Sequence, residues 1–280
     1  MIFDPALREL TTSEGRLFGP TSFRDYVDRH ELDASPHTPR YISVDSVNDL
    51  SPTLRDAGVM VLRVGSAQNG TGTAFLLVDA PGDPEEFFLQ DRAIFDDRPV
   101  ERFVTSVERE RLLNFRLMPS LSETSLVNLA LASGVLAEAL ELDTSGALAP
   151  PATGRSTFTF EVRPHSDLPD TVTHRNGQVE IDTLFTERRD GRTTLFVIEA
   201  KTGSRASLAK HKLVYPVLAV AGGVSPDIDI VPIYMRCRQT DETIRFEVAE
   251  CHLPDPRERL PGVNELGVKR SRLIELQKDE

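Results

Sequence analysis

The first 200 residues contain no lysine, and the 280-residue chain holds only five: Lys201, Lys210, Lys212, Lys269 and Lys278. Arginine carries nearly all the other positive charge. A lysine set against that habit marks a place where a compact ammonium suits the chemistry better than a planar guanidinium. Cysteine is scarce as well. Cys237 and Cys251 are the only two, which excludes a disulfide framework and a four-thiolate zinc site. The opening Met1-Ile2-Phe3-Asp4-Pro5 lacks the basic region and apolar core of an export signal. The longest apolar stretch, 213–224, is too short and too glycine-rich to span a bilayer. These absences predict a soluble, cytoplasmic protein with no membrane partner.

What the chain has in excess is acid. The net charge is −12, with 13 basic against 20 acidic side chains in residues 1–118 and 19 against 24 in residues 119–280. An evenly acidic, lysine-poor surface is the composition expected in a salt-rich cytoplasm, where carboxylates keep a protein hydrated and apart. One window departs from it: residues 200–226 contain no acidic side chain, but hold Lys201, Arg205, Lys210, His211 and Lys212.

Residues 1–118 read as an N-terminal α+β unit serving recognition or dimerisation. Short helices are expected at 22–30 and 50–56, the second opened by Ser51-Pro52, and a strand at 41–44. Apolar runs at 58–64 and 73–78 read as a hairpin. The glycine-rich turn between them lacks the Lys-Ser/Thr of a phosphate-cradling loop, so it is read as a turn only. From Ser120 the pattern changes. An amphipathic helix over 123–142, strands over 157–162, 179–185 and 194–200, a helix over 204–220, and strands over 228–234 and 243–248 are expected, with Asp190-Gly191 as a tight turn. This predicts an α/β fold for residues 119–252, a central mixed β-sheet flanked by helices. Residues 253–280 read as a charged tail with a helix over 263–277.

The chemistry concentrates on two of these strands. Asp182 sits in Val179-Glu180-Ile181-Asp182-Thr183-Leu184-Phe185, and Glu199 and Lys201 close the run Val197-Ile198-Glu199-Ala200-Lys201. Side chains alternate along a strand, so Glu199 and Lys201 share a face. A hairpin turning at Asp190-Gly191 brings Asp182 beside them. Two carboxylates and the carbonyl of Ala200 suit the hard oxygen shell of Mg²⁺, while the ammonium of Lys201 can offset charge on a phosphorane. The competing reading of the same residues is a structural ion pair at a strand end. On the following helix His211 and Tyr215 stand four apart and share a face, where both could reach a nucleic-acid strand, or where Tyr215 could simply pack on the sheet.

Asp182, Glu199-Ala200-Lys201 and the helix–strand–strand–strand–helix–strand order resemble the PD-(D/E)xK nuclease superfamily, which includes many restriction endonucleases and archaeal Holliday-junction resolvases. The resemblance covers about residues 120–251, with Ile181 in the place of the superfamily's proline. It implies a restriction-endonuclease-like core and a Mg²⁺-dependent deoxyribonuclease, Mn²⁺ substituting. Asp182, Glu199, Lys201 and a helix glutamate would be catalytic, with Asp182, Glu199 and Ala200 at the metal. Glu123 is preferred for the helix acid over Glu138 and Glu141. Arg205, Lys210, His211, Lys212 and Tyr215 would meet DNA, and a homodimer is expected for duplex cleavage. A restriction or defence role leads. A structure-specific repair or recombination nuclease and a non-catalytic nucleic-acid-binding protein are the alternatives.

Overall fold

Two serines start the N-terminal helices as the sequence anticipates. After α1 (Asp4–Thr12) and β1 (Leu17–Ser22), the Ser22 hydroxyl accepts from Asp25 N–H at 3.2 Å and opens α2 (Phe23–Arg29). The Ser51 hydroxyl accepts from Leu54 N–H at 3.3 Å and opens α3 (Pro52–Asp56), with proline in its first turn. The coordinates, a computed structural model, describe the chain apart from residues 13–14, 35–38, 69–71, 81–82, 144–147, 149, 204–205, 241 and 278–280. The expected hairpin is present as β2 (Val59–Ser66) and β3 (Thr73–Asp79), and β1 pairs with the outer side of β3. The strand expected at 41–44 does not form. Ile42 and Val44 are buried from an irregular segment instead, filling the core without a backbone ladder.

Next come β4 (Phe88–Gln90), α4 (Asp91–Phe95), β5 (Val100–Phe103) and α5 (Leu113–Arg116). The long helix expected over 123–142 is two helices, α6 (Glu123–Ala132) and α7 (Val135–Leu140). Gly134 between them takes φ +86°, a left-handed conformation that ends an α-helix and that glycine adopts without strain. The remaining elements are β6 (Ala152–Val162), β7 (Val172–Arg189), β8 (Arg192–Thr202), β9 (Ser207–Ala209), α8 (His211–Ala221), β10 (Asp229–Gln239), β11 (Thr243–His252) and β12 (Gly267–Gln277).

The helix expected over 263–277 is a correction: residues 267–277 form strand β12. Leu273 packs into one hydrophobic core, while Ile274 and Leu276 pack into the other. A strand covered on both faces loses apolar–polar alternation, which is why its pattern resembles a helix. Its charges also find partners in the sheet: Lys269 and Arg270 meet Glu250, and Arg272 meets Glu101 and Glu138. The helix expected over 204–220 likewise begins only at His211, because Ser207–Ala209 pairs with β4.

The chain is thus a mixed α/β protein with a ten-stranded sheet in the order β1-β3-β2-β7-β8-β10-β11-β12-β5, with β6 pairing on β7. Pairs β8–β10, β12–β5 and β2–β7 are parallel, and the rest antiparallel. Helix α8 covers one face over the core of Val197, Leu213, Val214, Val217 and Tyr234. Helices α6 and α7 cover the other over Phe185, Phe196, Ile198 and Ile233. Among the described residues, strands β1–β3 join the core strands through one registered pair, Gly65 with Arg175. Both β4 and β5 precede residue 118 yet pair with strands far beyond it. Among the described residues no helix is long and apolar enough to cross a membrane.

Candidate active site

The turn at Asp190-Gly191 sets β7 and β8 in antiparallel register, with Arg189 opposite Arg192 and Thr183 opposite Ile198. One step further on, the Asp182 carboxylate (Oδ2) accepts the backbone N–H of Ala200 at 2.9 Å. Glu199 and Lys201 then project from the face covered by α8. The Lys201 ammonium lies 2.8 Å from Glu199 Oε1, 3.8 Å from Asp182 Oδ2 and 3.9 Å from Glu123 Oε2, and it donates to the carbonyl of Ala200 at 2.9 Å. Three carboxylates from α6, β7 and β8 therefore close on one ammonium.

Glu123 is the helix acid that reaches this point. Ser122 caps α6, accepting from Ser125 N–H at 3.2 Å, and so fixes Glu123 in the first turn. Glu123 Oε1 accepts from Thr202 N–H at 2.8 Å and from the Thr202 hydroxyl at 3.1 Å. Glu138 and Glu141 face elsewhere, paired with Arg272 and Arg270 at the β12 side of the sheet.

Burial sets the electrostatics. Glu199 is 4 % exposed, and its desolvation raises its carboxyl to about 7 against the pull of Lys201. Burial raises Asp182 above the usual carboxylate range as well, again opposed by Lys201. Burial alone would lower Lys201, but Glu199, Asp182 and Glu123 together carry it above the ordinary amine value. The ammonium is therefore charged at any working pH, whereas the acids are poised to respond to added positive charge. Among the described residues no group of three or more histidine, cysteine or acidic side chains is arranged as a ready metal cage. The acids gather on Lys201 instead.

The basic stripe is the main correction at the site. His211 and Tyr215 are buried, and the Tyr215 hydroxyl donates to the carbonyl of Arg63 at 3.0 Å. Lys210 is half-buried and donates to the carbonyl of Asn264 at 2.8 Å. Lys212 pairs with Asp45 at 3.3 Å. Helix α8 packs its apolar length on the sheet, and its first turn goes down with it, so these residues do not form an open face for a phosphate backbone. Arg205 lies outside the described residues.

The structure also adds residues that the sequence reading passed over. In the parallel register of β8 and β10, Tyr234 stands beside Glu199 and Arg236 beside Lys201. Arg236 forms an ion pair with Asp91 of α4 and donates to the Gly203 carbonyl at 2.8 Å, while the Tyr234 hydroxyl donates to Asp91 at 2.9 Å. This buried network holds the chain just past Lys201. Its only signal in the sequence is an arginine in an otherwise apolar strand, Ile233-Tyr234-Met235-Arg236-Cys237.

A family model described as a domain of unknown function (DUF6997) matches residues 95–260, more than half of the chain, and the protein belongs to that family. The matched span includes Glu123, Asp182, Glu199, Lys201 and Arg236. No curated protein and no solved structure matches the chain.

Proposed function

We propose that this protein is a Mg²⁺-dependent endonuclease of the PD-(D/E)xK type that hydrolyses DNA phosphodiester bonds, in a restriction or defence role. The observation that carries this reading is the meeting of Glu123, Asp182 and Glu199 around Lys201 at 2.8–3.9 Å, from three separate elements. A structural ion pair requires one acid. Three acids on one lysine, two of them with raised pKa values, make a site that holds negative charge against its own desolvation and gains from a second cation.

The donor set fits a hard divalent ion. Asp182, Glu199 and the Ala200 carbonyl are all oxygen donors on two adjacent strands, as Mg²⁺ or Mn²⁺ prefers. A divalent ion held there supplies Lewis-acid polarisation of the phosphodiester and ready hydroxide at neutral pH. Asp182 is oriented for that task by the Ala200 N–H. Lys201, held protonated by its neighbours, would stabilise charge building on the phosphoryl oxygens. Glu123 ties α6 to the end of β8 and keeps the third carboxylate within reach. Cutting both strands of a duplex calls for two such sites, hence a homodimer, with the N-terminal strands serving recognition or dimer contact. A structure-specific repair or recombination nuclease would use the same four residues.

The test is plasmid cleavage with Mg²⁺, Mn²⁺ or EDTA by the wild type, Asp182→Ala and Lys201→Ala. Metal-dependent cutting by the wild type and none by the folded variants is expected. Undiminished cutting by either variant overturns the assignment. Calorimetric titration with Mn²⁺ adds an independent reading: heat of binding that Asp182→Asn abolishes supports the metal site, and no heat in the wild type points to a non-catalytic nucleic-acid-binding protein.

A further inference from the structure

Residues 100–118 carry the least covered apolar surface of the protein. Seven large apolar side chains are exposed among the described residues, and five of them lie in this one segment: Val100, Val104, Leu113, Leu117 and Met118. Exposed apolar side chains are ordinarily scattered singly, so their gathering here marks a surface built to meet something. Part of the same segment, with the ends of β10 and β12 and the start of β11, frames a cavity of about 400 Å³.

The cavity has an apolar floor and a basic rim. Leu112, Leu129, Ile244 and Leu276 are buried lining residues that belong to the core under α6 and α7, and Phe115 packs against them. Leu113 and Met118 line it from the exposed side, together with Arg109 and Arg116. Among the described residues no acidic side chain lines the cavity, although the chain carries a net charge of −12. Arginines elsewhere on the core sheet are matched: Arg236, Arg270 and Arg272 each meet a carboxylate. Arg109 is exposed and, among the described residues, makes no such pair.

That lining selects its occupant. A plain hydrocarbon would cover the floor and leave two guanidinium groups at its edge without a counter-charge. A cation would be repelled, and a small inorganic anion would leave the leucines wet. A molecule with an apolar body and one oxyanion satisfies both parts of the wall, and the planar fork of a guanidinium matches a carboxylate in particular. The volume lies within the range of small-molecule sites, roughly 300–1,000 Å³.

We propose that this cavity binds an amphiphilic carboxylate of medium-chain length, its apolar body over Leu112, Leu129, Ile244 and Leu276 and its carboxylate on Arg109 and Arg116. None of Glu123, Asp182, Glu199 and Lys201 lines the cavity, so the proposal stands apart from the nuclease reading.

The test uses the full chain in EDTA, without nucleic acid. Octanoate, 1-octanol, octylammonium and acetate are titrated separately by calorimetry, below any micelle formation. Octanoate should bind at one site, 1-octanol about tenfold or more weakly for want of the charged hydrogen bond, and octylammonium and acetate not measurably. Arg109→Glu changes an exposed side chain and should keep the wild-type Tm. It should weaken octanoate by about tenfold or more, leave 1-octanol unchanged and admit octylammonium. No octanoate binding overturns the proposal. Equal binding of octanoate and 1-octanol overturns it too, as apolar adsorption alone, and so does an octanoate affinity unmoved by Arg109→Glu. Sedimentation velocity covers the remaining occupant, a second copy of this chain. A wild-type dimer that Leu117→Asp, an exposed change beside the cavity, splits into monomers would give this face to the partner and also overturn the proposal.

Discussion

Glu123 and Thr202 are 79 residues apart in sequence, yet Glu123 Oε1 accepts both the backbone N–H and the hydroxyl of Thr202, at 2.8 and 3.1 Å. That contact places the first turn of α6 at the end of the strand carrying Glu199 and Lys201. Glu123→Gln keeps an acceptor for Thr202 but removes the charge facing Lys201. It should fold with a Tm near that of the wild type while metal-dependent cleavage falls by about tenfold or more, the scale of one electrostatic contribution to a transition state. Equal cleavage with an equal Tm would make Glu123 a structural tie alone.

Glu199 gives a pH signature. Its folded pKa, about 7, lies above the unfolded value of 4.5, so the folded state holds the extra proton. The stability this contributes is fully present below pH 4.5 and is lost as pH rises through about 7. In EDTA, urea unfolding should show the wild type losing on the order of 3 kcal/mol more than Glu199→Gln between pH 4.5 and 8, at 1.36 kcal/mol per pKa unit. Mn²⁺ at pH 8 should return much of that loss to the wild type and none to the variant. Identical pH profiles of the two proteins in EDTA would refute the coupling.

His211 works in the opposite direction. Burial lowers its folded pKa to about 3 from 6.5, so its contribution is fully present above pH 6.5 and is lost as pH falls toward 3. His211→Phe should therefore lose less stability than the wild type between pH 6.5 and 4, read from the urea midpoint at each pH. A wild type no more acid-sensitive than the variant would contradict a buried neutral ring.

Gly65 carries the single registered pair between the N-terminal strands and β7. Its φ is +81°, and a Cβ there would stand 2.3 Å from the Arg175 carbonyl oxygen. Gly65→Ala should cost more than about 2 kcal/mol by urea unfolding, from strain plus a forced shift of the Arg175 backbone. Gly191→Ala also has positive φ (+74°) but meets open space, and should cost about 1 kcal/mol. Equal losses would mean that the close approach to Arg175 contributes nothing.

The reading of the site from sequence rested on Asp182 and the Glu199-Ala200-Lys201 run, and strand alternation with one tight turn was enough to bring them together. Helix α6 was visible through Ser122 and its apolar spacing. The residues of α8 were harder. His211-Lys212-Leu213-Val214-Tyr215 has the polar residues of a binding surface, but burial depends on what packs against it, and β6, β7, β10 and the 41–45 segment meet it from other parts of the chain. For the same reason β12 reads as a helix: its two faces enter two cores, and no local pattern records that.

Local chemistry thus settled which acids and which lysine share a strand face, because side-chain alternation is a property of the backbone at each residue. Only the tertiary structure decided that Glu123 rather than Glu138 completes the cluster, and that Arg236 and Asp91 brace it. It also decided that Lys210 turns to the Asn264 carbonyl and Lys212 to Asp45. Those outcomes depend on how far-apart segments bury one another's charges, a free energy that exists only once the chain has closed around them. Lys201, the first lysine in the sequence, is where both kinds of information meet.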